Sequence, residues 1–181
     1  MEALGLIEVI SIARGYEVTD VMAKAADVVV LASRTICSGK HFTMVTGSAG
    51  SVRASVAAGR ELAAEALVDE LELAQVHPSV VPAMVGQGAS PGEDAVGIIE
   101  TFTVAAGVLA ADTAVKGAEV KLVDLRLSIG IGGKSYVVLT GALEAVKSGV
   151  AAGADLVGQR GLLAGKSVIA HPFPQLKDFL V

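Results

Sequence analysis

Residues 3–10 read ALGLIEVI and residues 95–102 read AVGIIETF. Setting residue 3 against residue 95, an offset of 92, pairs Ala13 with Ala105, Gly15 with Gly107, Asp20 with Asp112, Lys24 with Lys116 and Arg34 with Arg126. Over positions 3–34 this gives 11 identities in 32. Beyond Arg34 the second stretch gains two residues and register resumes at an offset of 94. Gly39-Lys40 then meets Gly133-Lys134, VAAG at 56–59 meets VAAG at 150–153, and His77-Pro78 meets His171-Pro172. Chance likeness between two Ala- and Val-rich stretches would not also keep Gly, Lys, Asp and Pro in place. The chain therefore reads as two tandem copies of a domain of roughly 90 residues. The expected division is 1–85, a linker GQGASPGED at 86–94, and 95–181. The linker has the Gly, Ser and Pro of a boundary.

Each copy gives the same element order. LGLIEVISI reads as a strand, and Tyr16 to Ala26 carries apolar residues at helical spacing. VVVLASRTI is a β-branched second strand, and the turn at Cys37-Ser38-Gly39 leads into HFTMVTG as its hairpin partner. Ser48 suits the N-cap of a helix through Glu65, followed by a strand near 66–74 and a brief helix after Pro78. Copy two predicts strand 95–104, helix 108–118, strands 120–129 and 134–140, helix 142–157, strand 161–170 and a terminal helix 173–179. The order β-α-β-β-α-β-α is an α+β antiparallel sheet with helices packed on one face.

Composition removes several functions. The net charge is −5 with no basic block, which argues against a nucleic-acid binder. No apolar run is long enough to span a membrane, and MEALGLIEV lacks the basic start of a signal peptide. One cysteine cannot form an intrachain disulfide, which fits a reducing cytosol. Of 181 residues 52% are apolar but only 3% aromatic, so the core is built of Ala, Val, Leu and Ile. So apolar a chain with so few aromatics suggests that much of its surface is buried against further copies of itself.

No Ser/His/Asp or HExxH constellation is present, so no enzyme is expected. GIGGK at 130–134 lacks the spacing and Ser/Thr of a phosphate loop and runs into a strand, not a helix. His77 and His171 recur before proline, and Glu8 and Glu100 recur within strands. Recurrence in equivalent places favours structural roles for all four. A lone cysteine is usually a small buried apolar residue. Cys37, however, lies in a tight turn before Gly39 and not in an apolar run.

GLIEV and GIIET, the D-x-x-x-K-A and D-x-x-x-K-G helix ends, GK opening the third strand and the closing HP together resemble the bacterial microcompartment shell domain. Both copies match, in unpermuted strand order. SIARG, SRTICSGKHF, LVDELELAQVHPSVVPA and RLSIGIGGKSYVVLTG are most similar to the tandem-domain, trimer-forming T-type shell proteins of propanediol utilisation. The resemblance implies a structural tile of a microcompartment shell inside the cytoplasm. Three chains would form a pseudohexameric ring that tiles with other shell proteins. Thr35, Ile36, Cys37, Ser38 and Gly39 of copy one, with Gly130, Ile131, Gly132 and Gly133 of copy two, would line a central pore. Lys24 and Lys116 would lie at the tiling edge.

Relatives of this type carry a cysteine at the matching turn, associated with a [4Fe–4S] cluster. The resemblance thus implies one cluster per homotrimer, held at the threefold axis by three copies of Cys37. Three thiolates can hold three irons, where the full set is four. Electron transfer to encapsulated redox enzymes would follow. Ser38 stands where the resemblance leads one to expect proline. Three alternatives stay open: zinc with His41 as a further donor, a metal-free reactive thiol, and a cluster-free pore that conducts small metabolites.

Overall fold

The computed structural model describes residues 3–92 and 94–180. Copy one comprises β1 (Ala3–Val9), α1 (Ile12–Ala25), β2 (Val28–Ile36), β3 (Lys40–Gly47), α2 (Ala49–Ala63), β4 (Leu67–Leu73) and α3 (Val80–Met84). Copy two comprises β5 (Ala95–Thr101), α4 (Val104–Gly117), β6 (Lys121–Leu127), β7 (Ser135–Gly141), α5 (Leu143–Gln159) and β8 (Leu163–Ala170), then a 3₁₀ segment, Pro174–Phe179. Each copy makes a four-stranded antiparallel sheet, in the orders β2-β3-β1-β4 and β6-β7-β5-β8. The register confirms the two-residue insertion. Val9 faces His41 and Thr101 faces Ser135, partners related by the offsets 92 and 94.

β1 is central, and all seven of its residues are buried. That explains a strand without strict alternation. Ile7 and Val9 meet Val18 and Met22 of α1 and Val52, Val56 and Ala63 of α2, so both helices share one face. Ser11 caps α1 by accepting the Arg14 amide, and Ser48 caps α2 by accepting that of Ser51. α1 therefore begins four residues before the expected Tyr16, and α4 four before the expected residue 108. The expected first strands, 4–12 and 95–104, overrun by three residues each. Apolar Ile10 and Ile12 extend the strand pattern past a cap that ends it.

Compactness divides the chain differently from its repeat. One unit gathers the chain up to Val76 with Thr103–Ala105 and Ser128–Gly133. The other holds His77–Phe102, Ala106–Leu127 and the chain from Lys134 onward. In the second unit the Ala89 amide donates to the Leu122 carbonyl and the Gly92 amide to Thr140 Oγ1, so part of the linker lies along β6 and β7.

Equivalent positions differ in burial. Tyr16 on α1 is 59% exposed, whereas its counterpart Val108 on α4 is 0% exposed. Ile12 and Asp20 are also open, and their counterparts Val104 and Asp112 are buried. The reverse holds at the end of the first strand. The Glu8 side chain is 0% exposed and that of Glu100 is 41% exposed. The chain thus leaves one face bare on copy one and a different face bare on copy two.

Candidate functional site: a cysteine turn under a glycine loop

The β2–β3 hairpin closes through a 3₁₀ turn, Cys37–Gly39. Ser38 has φ 65° and Gly39 φ 70°. Proline, fixed near φ −65°, cannot occupy position 38 of this turn. The corresponding connection of copy two is longer and glycine-rich. Ser128, Gly130, Gly132 and Gly133 all have positive φ, between 51° and 81°. Three glycines let the chain double back at small steric cost. At the offset of 94, Ile131 stands where Cys37 stands.

These two turns belong to one compact unit and touch. The Cys37 amide donates to the Ser128 carbonyl at 3.0 Å, and the Gly130 amide donates to Cys37 Sγ at 3.0 Å. Ser128 Oγ donates to the Gly133 carbonyl at 3.0 Å, bracing the loop from within. The thiol is partly exposed. Its pKa is held below the ordinary thiol value, first by the Gly130 amide and then by that of Ile131, with those of Gly133 and Gly132 adding and desolvation opposing. Convergent backbone N–H groups are an anion-binding arrangement, and the thiolate is the form that binds metals. The copy-two loop, expected like the cysteine turn to line a central pore, thus supplies amides to that turn.

Of the remaining expected lining residues, Thr35, Ser38, Gly39, Gly130 and Gly132 are exposed, Ile131 is partly so, and Ile36 and Gly133 are buried. Ile36 turns its side chain into the core. Lys24 and Lys116 end their helices and pair with Asp20 and Asp112 four residues before them, at 2.7 and 2.6 Å. Glu8 and Glu100, for which the sequence favours structural roles, each pair with the lysine of the recurring GK. Glu8 Oε1 meets Lys40 Nζ at 2.5 Å, and Glu8 Oε2 accepts the Val104 amide that opens α4 at 2.7 Å. Lys40 also donates to the Gly133 carbonyl at 3.3 Å. Burial raises the Glu8 pKa despite these contacts. In copy two Lys134 and Glu100 pair at 2.6 Å in the open. The His77 amide donates to Asp112 Oδ1, and His77 Nδ1 lies 2.8 Å from Ser79 Oγ. The His171 amide donates to the Asp94 carbonyl.

His41 cannot complete a zinc site with Cys37 as it stands. Its ring is fully buried, with Nε2 3.0 Å from Ser33 Oγ and Nδ1 without a partner. Tyr16 packs against it in a tilted arrangement, with ring centroids 4.8 Å apart and planes at 57°. Gly15 packs so closely that a Cβ there would lie 2.3 Å from His41 Cγ. Burial lowers the His41 pKa. Among the described residues no group of three or more His, Cys, Asp or Glu could hold a metal ion. No helix among the described residues is long and apolar enough to cross a membrane. GIGGK leads directly into β7, as expected of a turn that is not a phosphate loop.

The sequence reading missed Ser128 and the roles of Lys40 and Glu8. The recurring GK and Glu were the available signal, but nothing in sequence alone showed that Glu8 and Lys40 meet.

The family model for the BMC domain matches twice, at residues 3–80 and 95–172. The chain is 44% identical to the bacterial microcompartment shell protein PduT of Citrobacter freundii over 171 residues, covering 94% of this chain and 93% of that one. It is 33% identical over 92 residues to the carboxysome shell protein CsoS1C of Hydrogenovibrio crunogenus, covering 49% of this chain and 90% of that one. Half of the present chain thus spans nearly all of that relative. The crystal structure of a microcompartments protein from Desulfitobacterium hafniense DCB superposes with TM-score 0.88 at 46% identity, covering 98% of this chain and 99% of that one. A fused permuted hexameric shell protein of the RMM microcompartment shares the fold, with TM-score 0.69 at 24% identity over 87% and 84% of the two chains. Two unpermuted sheets of one topology, a doubled family match and near-complete coverage by a shell protein lead to one conclusion: the chain belongs to the BMC-domain family of bacterial microcompartment shell proteins, a structural and non-enzymatic family, with two of its domains in tandem.

Proposed function

We propose that three chains close head to tail into a pseudohexameric ring that tiles the shell beside other shell proteins, with Cys37 of each chain turned toward the axis. The observation that carries this is the unequal burial of equivalent positions. The α1 face is bare where the α4 face is covered, and Glu100 and Lys134 are bare where Glu8 and Lys40 are covered. Two different bare faces on one chain are what a heterologous, ring-closing contact requires. Ile12, Tyr16 and Asp20 then play on one chain the part of Val104, Val108 and Asp112, with the next chain as their cover. Lys24 and Lys116 lie at the edge that meets neighbouring rings.

At the axis the ring holds a [4Fe–4S] cluster, one per trimer, that carries electrons across the shell to encapsulated redox enzymes. The residues fit such a group as donors: a partly exposed thiol below its ordinary pKa, with backbone amides directed at its sulfur. One chain offers one cysteine, so only a threefold meeting supplies a Cys₃ set. Bound there, the cluster would supply one-electron chemistry; Cys37 would ligate it and residues 130–133 would donate to the ligating sulfur. The fourth iron position would fall to water or a partner.

The test is anaerobic purification with native mass, iron and sulfide analysis and EPR, beside Cys37→Ser. A mass near three times the 18.2 kDa chain and iron lost in the variant are expected. A stable monomer defeats the ring, and iron retained equally by Cys37→Ser defeats the cluster assignment. A ring free of iron would favour a pore for small metabolites, which the exposed Gly39, Gly130 and Gly132 would line.

A further inference from the structure

We infer that Lys40 is a positioning residue: anchored on Glu8, it pins the 128–133 loop over Cys37, so that the two turns divide their roles, one supplying the sulfur and the other the amides that hold it. Lys40 follows the cysteine turn directly, at the first position of β3. Its ammonium spans from the Glu8 carboxylate to the Gly133 carbonyl. That carbonyl also accepts Ser128 Oγ, so a single oxygen near the loop's end is held from two sides. Glu8 is itself fixed, because its other oxygen accepts the Val104 amide.

The chain contains its own comparison. Lys134 and Glu100 form the same pair, at 2.6 Å, without burial. Ion pairing alone therefore does not need the buried setting of copy one. What that setting adds is the contact to Gly133 and the bond to Val104. A buried charge pair is a poor source of stability, since an apolar pair of equal volume commonly does as well or better. Its use here is geometric. Lys40 is held by its partner at a distance from the loop that a flexible lysine in solvent would not keep. Without it, the Gly130 amide would be aimed at Cys37 Sγ by the glycine-rich loop alone, and glycine permits many conformations.

The inference rests on the cluster reading for one of its two readouts only. The double variant Glu8→Gln/Lys40→Met removes both charges at nearly constant volume, and the glutamine oxygen still accepts the Val104 amide. Amide hydrogen exchange over residues 128–133 is measured on the full-length, metal-free protein. At least tenfold faster exchange than in the parent is expected, with exchange of the β1 amides unchanged. In iron-loaded protein the reduction potential is expected to fall, because N–H···S bonds favour the more negative, reduced state. Unchanged exchange in a variant with the parent's circular dichroism and native mass overturns the role of Lys40. If the double variant does not fold, Lys40→Met alone, which removes the ammonium from the Gly133 carbonyl, must still accelerate loop exchange, and an unchanged rate is again decisive. A parent that takes up no iron would defeat the cluster reading, while the exchange measurement would still decide on Lys40.

Discussion

Tyr16→Ser is the sharpest perturbation of the proposed ring. In a single chain Tyr16 is 59% exposed, and the equivalent Val108 is fully covered. A tyrosine presents roughly 220 Å² when free, so about 130 Å² is open to be covered by a neighbouring chain. At about 25 cal/mol per Å² that is about 3 kcal/mol per contact, or a weakening of about a hundredfold when the ring is removed. The ring contains three such contacts, so the variant should dissociate at concentrations where the parent holds together. Light scattering and native mass spectrometry over a dilution series read this directly, and circular dichroism checks that the monomer keeps its fold. Ile10→Ser is the control. Ile10 is 63% exposed and its counterpart Phe102 is 51% exposed, so this position is bare in both copies and lies outside the proposed contact. The reasoning is refuted if Tyr16→Ser keeps the ring mass at every dilution at which the parent does. It is refuted equally if Ile10→Ser dissociates as readily.

Gly15→Ala would drive a methyl into the His41 ring, which is itself fully buried, and should cost about 1–3 kcal/mol. Thermal unfolding should fall by about 5 °C; an unchanged midpoint would show that the ring yields. His41 adds an acid-sensitive element. Its folded pKa lies below 6.5, so its stabilising contribution is present above 6.5 and is lost as pH falls through the lowered folded value. Against the parent, His41→Leu should flatten the decline of the unfolding midpoint as pH falls below 6.5. Glu8 behaves in the opposite sense, since its folded pKa is raised above 4.5. Its contribution is greatest below 4.5 and is lost as pH rises through the raised value, so the parent should gain on Glu8→Gln as the solution is acidified. Ser38→Pro should abolish the Cys37–Gly39 turn, because φ 65° is closed to proline; Ser38→Gly should be tolerated and slightly stabilising. Unfolding midpoints and the protection of the Gly130 amide distinguish the two.

The fold was legible because it is written twice. Gly15 and Gly107, Lys24 and Lys116, and Lys40 and Lys134 hold the two copies in register across an insertion, and apolar, β-branched runs mark the strands. Helix starts were less legible. Ile10 and Ile12 satisfy a strand's period as well as a helix's first turn, and only the Ser11 cap decides between them. The cysteine turn was visible as a residue, but its surroundings were not. What holds Cys37 Sγ is a backbone amide 93 residues away, and amides are carried by every residue except proline. The exchange of Thr103–Ala105 and Ser128–Gly133 into the first compact unit is likewise a matter of long-range packing, which no local pattern records.

Ile131 at the place of Cys37 has a consequence for counting. A ring of six identical domains holds any given residue six times or not at all, so six thiols at the axis would be unavoidable. Two domains joined in one chain remove that constraint. Each may keep the common scaffold while only one keeps the sulfur, and three become possible. In the proposed ring, duplication and fusion would then act as a control of stoichiometry: they would set an odd number of donors at the centre of an even-sided tile, which substitution in a single-domain subunit could not do.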